Sequence, residues 1–215
     1  MGKINKGSGI LGGFSGTVGT VVGGNWRGIE TMRAVAKPRK GGSTQSQINQ
    51  QLKFALVAKF LASKQDLLEI SFKAFANGMT GTNSAVSHNV MNAITGVAPN
   101  FSIDYSKVLI SRGSLLSPEK AVAAAGPAGT VAFTWLNNTA GSKKSAADDK
   151  AILVAYCEAT NISVYTVAGA ARSAAADTLA VPAFSGKAVQ TWMAFISAGG
   201  TRISNSLFAG VVNVV

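Results

Sequence analysis

The sequence predicts an α+β protein in three parts: an N-terminal extended glycine-rich arm over residues 1–43, a short helical segment over 44–97, and an immunoglobulin- or fibronectin-like β-sandwich over 98–215. Three observations support this prediction. Half of the 24 glycines lie within the first 42 residues. Apolar residues then recur at helical spacing, and after Pro99 they alternate in short runs separated by turn residues.

The arm is too rich in glycine to form a stable helix and too apolar to be a solvated linker. Because ordering glycine costs much conformational entropy, we expect the arm to become ordered only where another surface receives its apolar side chains. A strand added to the sheet edge of a neighbouring subunit would bury them. Folding back on the chain's own sandwich is the alternative. The side chains predicted to dock are those of Leu11, Phe14, Val18, Val21 and Val22.

Positive charge is concentrated in the first third of the chain. Of the net charge of +11, residues 1–73 contribute +8, from eleven Lys/Arg against three acidic residues, and residues 74–215 contribute +3. This excess suits phosphate groups, an anionic surface or an acidic patch on a partner subunit. Counterion release and base stacking would give non-specific nucleic-acid or polyanion binding. The residues predicted to carry it are Trp26, Arg27, Arg33, Lys37, Arg39 and Lys40.

Three helices are predicted between the arm and the sandwich. A capping box begins at Thr44, and apolar residues follow it at helical spacing. A second helix is expected over residues 65–76. Thr82 or Asn83 is expected to cap a third helix, and Gly96 stands where a C-terminal glycine ends a helix.

Seven or eight short strands with one internal tryptophan favour a sandwich, and a closed barrel is the alternative. A further weak strand is predicted over residues 26–35, before the breaker segment 37–42. The strands predicted after the helices cover residues 101–105, 108–110, 131–135, 152–157, 163–167, 178–181, 188–196 and 204–214. The side chains predicted to form the core are those of Phe133, Trp135, Val154, Tyr156, Trp192 and Phe195.

The sequence offers no constellation typical of an enzyme, and we expect neither catalytic residues nor a cofactor. His88 is the only histidine; Ser87 and Asp104 could complete a triad with it, but no nucleophile elbow surrounds a serine. We interpret His88 as a helix-face or capping residue. Cys157, the only cysteine, lies in an apolar run and is interpreted as a small buried hydrophobe.

No metal site is predicted either. One histidine and one cysteine cannot hold zinc, and Asp148 and Asp149 lack the further carboxylates that calcium requires. We interpret these two aspartates as solvated, or as paired with Lys143 and Lys144.

No apolar run approaches the roughly 18 residues of a membrane span. Glycines interrupt the apolar run of the arm, and no small-residue cleavage site follows it closely. We therefore expect synthesis in the cytoplasm without a cleaved signal peptide. An extracellular assembly or a virion stays open as the final location.

The chain resembles an uncharacterised bacterial family, a domain of unknown function whose opening signature is ILGGFSGxVGxVVG, found here at residues 10–23. The resemblance implies no activity and no catalytic residues. The glycine-rich opening is also loosely similar to those of structural proteins of phages and cell surfaces. Further matching positions are Thr44-x-x-Gln47, Met79-Thr80, Thr134-Trp135 and residues 103–106, 148–151 and 204–206.

These observations favour an assembly function. Charged residues make up only 13% of the chain and the mean hydropathy is +0.25, which suits a protein that hides much of its surface against copies of itself. We expect a self-assembling structural subunit of a filament, tube, shell or virion, which forms homo-oligomers through the arm. Non-specific polyanion binding is the alternative.

Overall fold

The computed structural model describes residues 2–4, 14–26, 28–38, 41–140 and 143–215. The chain forms two compact units, Met1–Thr44 and Gln45–Val215, which we call the N-terminal unit and the C-terminal unit. The helices and the sandwich, predicted as separate segments, share the C-terminal unit.

The described residues of the N-terminal unit form four short strands: β1 (Gly2–Ile4), β2 (Gly16–Val18), β3 (Val21–Trp26) and β4 (Ile29–Ala34). They form one antiparallel sheet in the order β1-β4-β3-β2. Gly19 and Gly28 have φ angles of +57° and +79°, so each tight turn places glycine where the backbone is left-handed. The extended backbone predicted for the arm is confirmed, and its strands pair with one another.

Three helices begin the C-terminal unit: α1 (Gln45–Leu61), α2 (Gln65–Ser71) and α3 (Gly81–Asn92). The cap of α3 is Thr80, whose Oγ1 accepts a hydrogen bond from the N–H of Asn83 at 3.0 Å. The prediction of Thr82 or Asn83 as the cap was therefore wrong. The helix starts earlier because the Glu69 carboxylate accepts the N–H groups of Gly81 and Thr82, at 3.0 and 3.1 Å.

The prediction that Gly96 ends a helix was also wrong. A hairpin of β5 (Ile94–Val97) and β6 (Asn100–Ile103) follows α3, and Gly96 lies within it, opposite Phe101. Its φ angle is +89°, and a Cβ atom there would collide with the carbonyl oxygen of Asn100. The glycine therefore permits close strand pairing.

Seven strands form the sandwich, which confirms that part of the predicted fold class. They are β7 (Glu119–Ala125), β8 (Thr130–Leu136), β9 (Lys150–Cys157), β10 (Ile162–Thr166), β11 (Ala176–Ala180), β12 (Ala188–Ile196) and β13 (Leu207–Asn213). One antiparallel sheet has the order β10-β9-β12-β13 and the other has the order β11-β8-β7. All six side chains predicted for the core are buried.

Strands β9 and β12 are buried on both faces. Leu153 and Cys157 of β9, with Met193 of β12, pack in the core between the two sheets. Ile152, Val154 and Tyr156 point to the opposite face, where they pack with Trp192 against the helices. The C-terminal unit therefore has three layers: helices, the four-stranded sheet and the three-stranded sheet.

The edge strand β11 carries a charge on its inner face. Asp177 pairs directly opposite Phe133, so both side chains point between the sheets. The Oδ2 atom of Asp177 accepts a hydrogen bond from the N–H of Ala170 at 2.7 Å. The carboxylate is thus satisfied by the segment that precedes the strand.

Residues 108–110 were predicted as a strand but pair with none. Side chains form the hydrogen bonds to their backbone N–H and C=O groups instead. Asn89 of α3 donates to the carbonyl oxygen of Leu109 at 2.8 Å and accepts its N–H at 2.9 Å. Ser71 donates to the carbonyl oxygen of Ile110 at 2.7 Å, and Ser206 accepts the N–H of Ile110 at 3.0 Å. The alternation of Val108 and Ile110 reflects burial in a loop that crosses between the helices and the sandwich.

A buried ion pair joins the loops at one end of the sandwich. The Nη2 atom of Arg172 lies 3.1 Å from the Oδ2 atom of Asp149, and both side chains are almost completely buried. The guanidinium also donates to Asn138 and to the carbonyl oxygen of Leu116, at 2.7 and 3.0 Å, and stacks on the ring of Phe195. The interpretation of Asp149 as solvated or lysine-paired was therefore wrong.

We predict that Asp149→Asn lowers the free energy of unfolding by about 3–5 kcal/mol, because it leaves the Arg172 guanidinium buried without its counter-charge. Urea unfolding at neutral pH measures this. The matched control is Asp104→Asn, which breaks the exposed pair of Lys107 and Asp104 (3.1 Å) and should lower the free energy of unfolding far less. Equal losses in the two variants would contradict the prediction.

Candidate functional site

The N-terminal sheet divides the side chains that were predicted to dock between its two faces. Val18 and Val21 are paired and so share one face. The ring of Phe14 lies over Gly23, where a Cβ atom would stand 2.7 Å from the ring, and thus covers the same face. Val22 points to the other face. Leu11 lies outside the described residues.

Two residues predicted for polyanion binding share the face of Val22. Arg33 is directly opposite Val22, and Trp26 follows on the same face of β3, four residues along, or about 13 Å away. Trp26 is 54% exposed, and Arg33 and Lys37 are exposed as well. Arg27, Arg39 and Lys40 lie outside the described residues.

The groups considered for catalysis are not brought together. His88 is half-buried in α3; burial and the positive charge of Arg112 lower the pKa of its imidazole. The carboxylate of Asp104 accepts hydrogen bonds from Ser106 and pairs with Lys107. Cys157 is buried in the sandwich core.

Within the part of the chain that the structure describes, no group of three or more His, Cys, Asp or Glu side chains could hold a metal ion. Over the same residues, no helix is both long and apolar enough to cross a membrane.

A cavity of about 230 Å³ opens in the C-terminal unit between α1, β6 and the turn that joins β9 to β10. Three aromatic side chains form one wall: the rings of Phe60 and Tyr156 meet edge to face at 4.9 Å, and Tyr105 lies 5.7 Å from Phe60. Sequence reasoning assigned Tyr156 to the interior but did not find this cavity, since its walls come from distant parts of the chain.

Both signs of charge line this cavity. Lys59 reaches it from α1, and Glu158 and Asn161 reach it from the turn after β9. The hydroxyl of Tyr156 donates to the Oδ1 atom of Asn161 at 2.9 Å. Burial and the negative charge of Glu158 both raise the pKa of Tyr105, so this phenol stays protonated at neutral pH.

Beside the same aromatic rings lies Lys64, a fully buried lysine that the sequence analysis did not single out. Its Nζ atom is 3.7 Å from the ring centre of Phe60 and 4.3 Å from that of Tyr156, and it donates to the carbonyl oxygen of Phe60 at 2.6 Å. Burial lowers the pKa of Lys64 from 10.5 to about 7. No sequence pattern distinguishes Lys64 from a surface lysine, because surface lysines are also common just after a helix.

The sequence profile of a family described as "Family of unknown function (DUF6266)" matches residues 13–210. The chain belongs to this family. The match covers nearly the whole chain and confirms the resemblance to an uncharacterised family. No curated protein and no solved structure matches the chain. The family assignment of this DUF6266 member therefore carries no activity with it.

We predict that Lys64 makes the stability of this DUF6266 member depend on pH. The unfolded chain binds a proton that the folded chain loses above about pH 7, so the free energy of unfolding rises between about pH 7 and 10.5, by at most about 1.4 kcal/mol per pH unit. Below about pH 7 the amine is protonated in both the folded and the unfolded chain. The contribution of Lys64 to the free energy of unfolding is then independent of pH, and it is unfavourable because a charge is buried.

Urea unfolding of the natural protein and of Lys64→Met at about pH 6.5, 8 and 9.5 tests this prediction. The stability of Lys64→Met relative to the natural protein should be greatest at the lowest pH and shrink as the pH rises. The exposed Lys73→Met serves as the control and should show a constant difference. A constant difference for Lys64→Met would show that its amine titrates normally.

Proposed function

We propose that this protein is a self-assembling structural subunit, a component of a filament, tube, shell or virion, whose N-terminal sheet docks on a neighbouring subunit. One observation carries the proposal. Among the described residues from 14 to 44, only Gly23 is buried. A sheet is normally stable because one face packs on another layer, and the described residues of the N-terminal unit supply no such layer.

The exposed apolar side chains of this sheet support the proposal. Val18 is 66% exposed, and Val21, paired with it on the same face, is partly exposed. A partner surface that covers the face of Phe14, Val18 and Val21 would remove this apolar area from water. The proposed contact is therefore the face formed by Phe14, Val18 and Val21.

The sheet edges offer a second means of contact. The order β1-β4-β3-β2 leaves β1 and β2 at the two edges, and all three residues of β2 are exposed. A strand from a neighbouring subunit could pair with the outer edge of β2, which carries no further strand among the described residues. The few charged residues of the chain agree with extensive subunit contacts.

We predict that Val18→Glu weakens self-association at least tenfold, because it places a charge in the proposed apolar contact. Sedimentation velocity over a wide range of concentrations, with electron microscopy of the concentrated protein, measures this. The matched control is Val97→Glu, a residue that is 80% exposed in the β5–β6 hairpin; this variant should assemble normally.

Two outcomes would contradict the assembly proposal. One is a natural protein that stays monomeric at high concentration. The other is a Val18→Glu variant with a lowered melting temperature and an unchanged oligomeric state, which would show that the sheet packs on its own chain.

A second candidate function is non-specific polyanion binding, favoured by the shared face of Trp26 and Arg33. The seven Lys/Arg residues of Met1–Thr44, against a single acidic residue, agree with it. Aromatic stacking and phosphate contacts are the two components of sequence-tolerant binding to single strands. Phosphate contacts alone would suffice for a duplex.

We predict only weak, salt-sensitive binding to a generic DNA duplex, measured by fluorescence anisotropy at two salt concentrations. If Arg33 contacts phosphate, Arg33→Ala should reduce the salt slope by about one. The exposed Arg202→Ala in the C-terminal unit is the matched control. Tight binding that falls steeply with salt and is lost in Arg33→Ala would favour polyanion binding over assembly as the main function.

A further inference from the structure

The outward face of α1 carries apolar side chains that the described residues leave exposed. Ile48 and Leu52 are 38% and 40% exposed, and Ala55 is exposed as well. Because they follow one another at spacings of four and three, these residues form one row along the helix, which we call the outer row. The buried Val57 lies about 140–200° around the helix from each of them. The outer row therefore faces away from the core, although the apolar stripe of a surface helix normally faces it.

A groove runs beside the outer row. It has a volume of about 280 Å³ and lies between α1 and the β5–β6 hairpin. Leu52, Ala55 and Leu56 of α1 line it, together with Pro99 and Phe101 of the hairpin. In a two-fold contact both copies present the same patch, so a ridge next to a groove is a self-complementary surface. The outer row of one copy can lie in the groove of a second copy.

The charges near this face also favour a second copy as the partner. The charged side chains of α1 are Lys53 and Lys59, and the Nζ atom of Lys53 lies 4.9 Å from the ring centre of Phe101. A nucleic acid would thus meet Lys59 at the groove instead of a cluster of cations. In an antiparallel pair centred on Leu52, the two copies of Lys59 lie about 21 Å apart, beyond the Debye length of about 8 Å at physiological ionic strength.

Two further features suit antiparallel helices. Gln51 flanks the outer row near its centre, and its amide offers both donors and acceptors to the same amide of a second copy. The dipoles of antiparallel helices oppose one another, so the positive end of each helix lies beside the negative end of the other.

We propose that the outer row of α1 is a dimer contact, in which the α1 helices of two copies pack antiparallel and each row lies in the groove of the other copy. The contact belongs wholly to the C-terminal unit, so the inference is independent of the proposed assembly through the N-terminal sheet. Three to four turns of helix bury less than the roughly 800 Å² per partner of a stable complex. We therefore expect weak, reversible dimers with a dissociation constant of about 10 μM to 1 mM.

Sedimentation equilibrium of the full chain tests the proposal in a Val18→Glu background, which weakens the proposed N-terminal contact. Adding Leu52→Glu should weaken dimerisation at least tenfold, because both copies bring a charge to the centre of the contact. The matched control is Phe54→Glu, since Phe54 is 54% exposed on the same helix but lies about 160° around it from Leu52. This comparison holds whether or not Val18→Glu alone changes the association, so either proposal can fail without the other.

Cysteine cross-linking tests the orientation of the helices. Leu52→Cys should form an intermolecular disulfide under mild oxidation, seen as a dimer on a denaturing gel without reductant. Gln45→Cys should not, because its two copies would lie about 21 Å apart and a disulfide needs Cα atoms within about 7 Å. Phe54→Cys controls for random collisions, and the natural Cys157 is buried. If Leu52→Glu fails to fold, this experiment alone decides.

Three results would overturn the proposal. The first is a Val18→Glu protein that stays monomeric up to about 1 mM. The second is equal dimerisation of the folded Leu52→Glu and Phe54→Glu variants; a lowered melting temperature of Leu52→Glu alone would then show that the outer row packs on its own chain. The third is cross-linking of Gln45→Cys or Phe54→Cys as readily as of Leu52→Cys.

Discussion

The architecture depends on one constraint: the central strands β9 and β12 have two apolar faces, and each face needs its own cover. The second sheet supplies one cover and the helices supply the other. Trp192 is fully buried between β12 and the helices, and its indole N–H donates to the carbonyl oxygen of Tyr105 at 3.2 Å. A sandwich without the helices would expose this whole face to water, which explains why the two segments form one unit.

The same constraint shows what could be predicted from the sequence. The continuous apolar run at residues 152–157 predicted a strand, which is confirmed, and this strand is buried on both faces. The run could not reveal what covers each face, because both covers lie far away in the sequence. Local patterns also failed where side chains take the place of a neighbouring strand. The side chain of Asn89 hydrogen-bonds both backbone groups of Leu109, so the apolar alternation of residues 108–110 does not correspond to a strand.

The alanine-rich strand β7 and the buried charges were missed for different reasons. Alanine has low strand propensity, so residues 121–125 gave no signal. Arg172 and Lys64 look like surface residues in the sequence, although both are fully buried. Their partners lie on other elements, or, for Lys64, are aromatic rings. Burial of a charged side chain is thus a tertiary property.

The N-terminal sheet and the cavity of the C-terminal unit also differ in how far the sequence could locate them. Composition located the N-terminal arm but did not predict that its strands pair into one sheet, and the two-residue period of β3 explains why its apolar residues divide between two faces. The cavity could not be found in this way. Lys59 and Glu158 are about a hundred residues apart, and only the packing of α1 on the four-stranded sheet places them on one cavity.

The inward-facing carboxylate of Asp177 has a consequence for life at high protein concentration. Edge strands of open sandwiches are templates for runaway strand addition, the route to amyloid-like aggregates. An inward-pointing charge is one of the features that discourage such addition in natural sheets, and the hydrogen bond from Ala170 holds the Asp177 carboxylate between the two sheets. A foreign strand that added to β11 would place its own side chains beside this charge, which disfavours indiscriminate polymerisation at this edge.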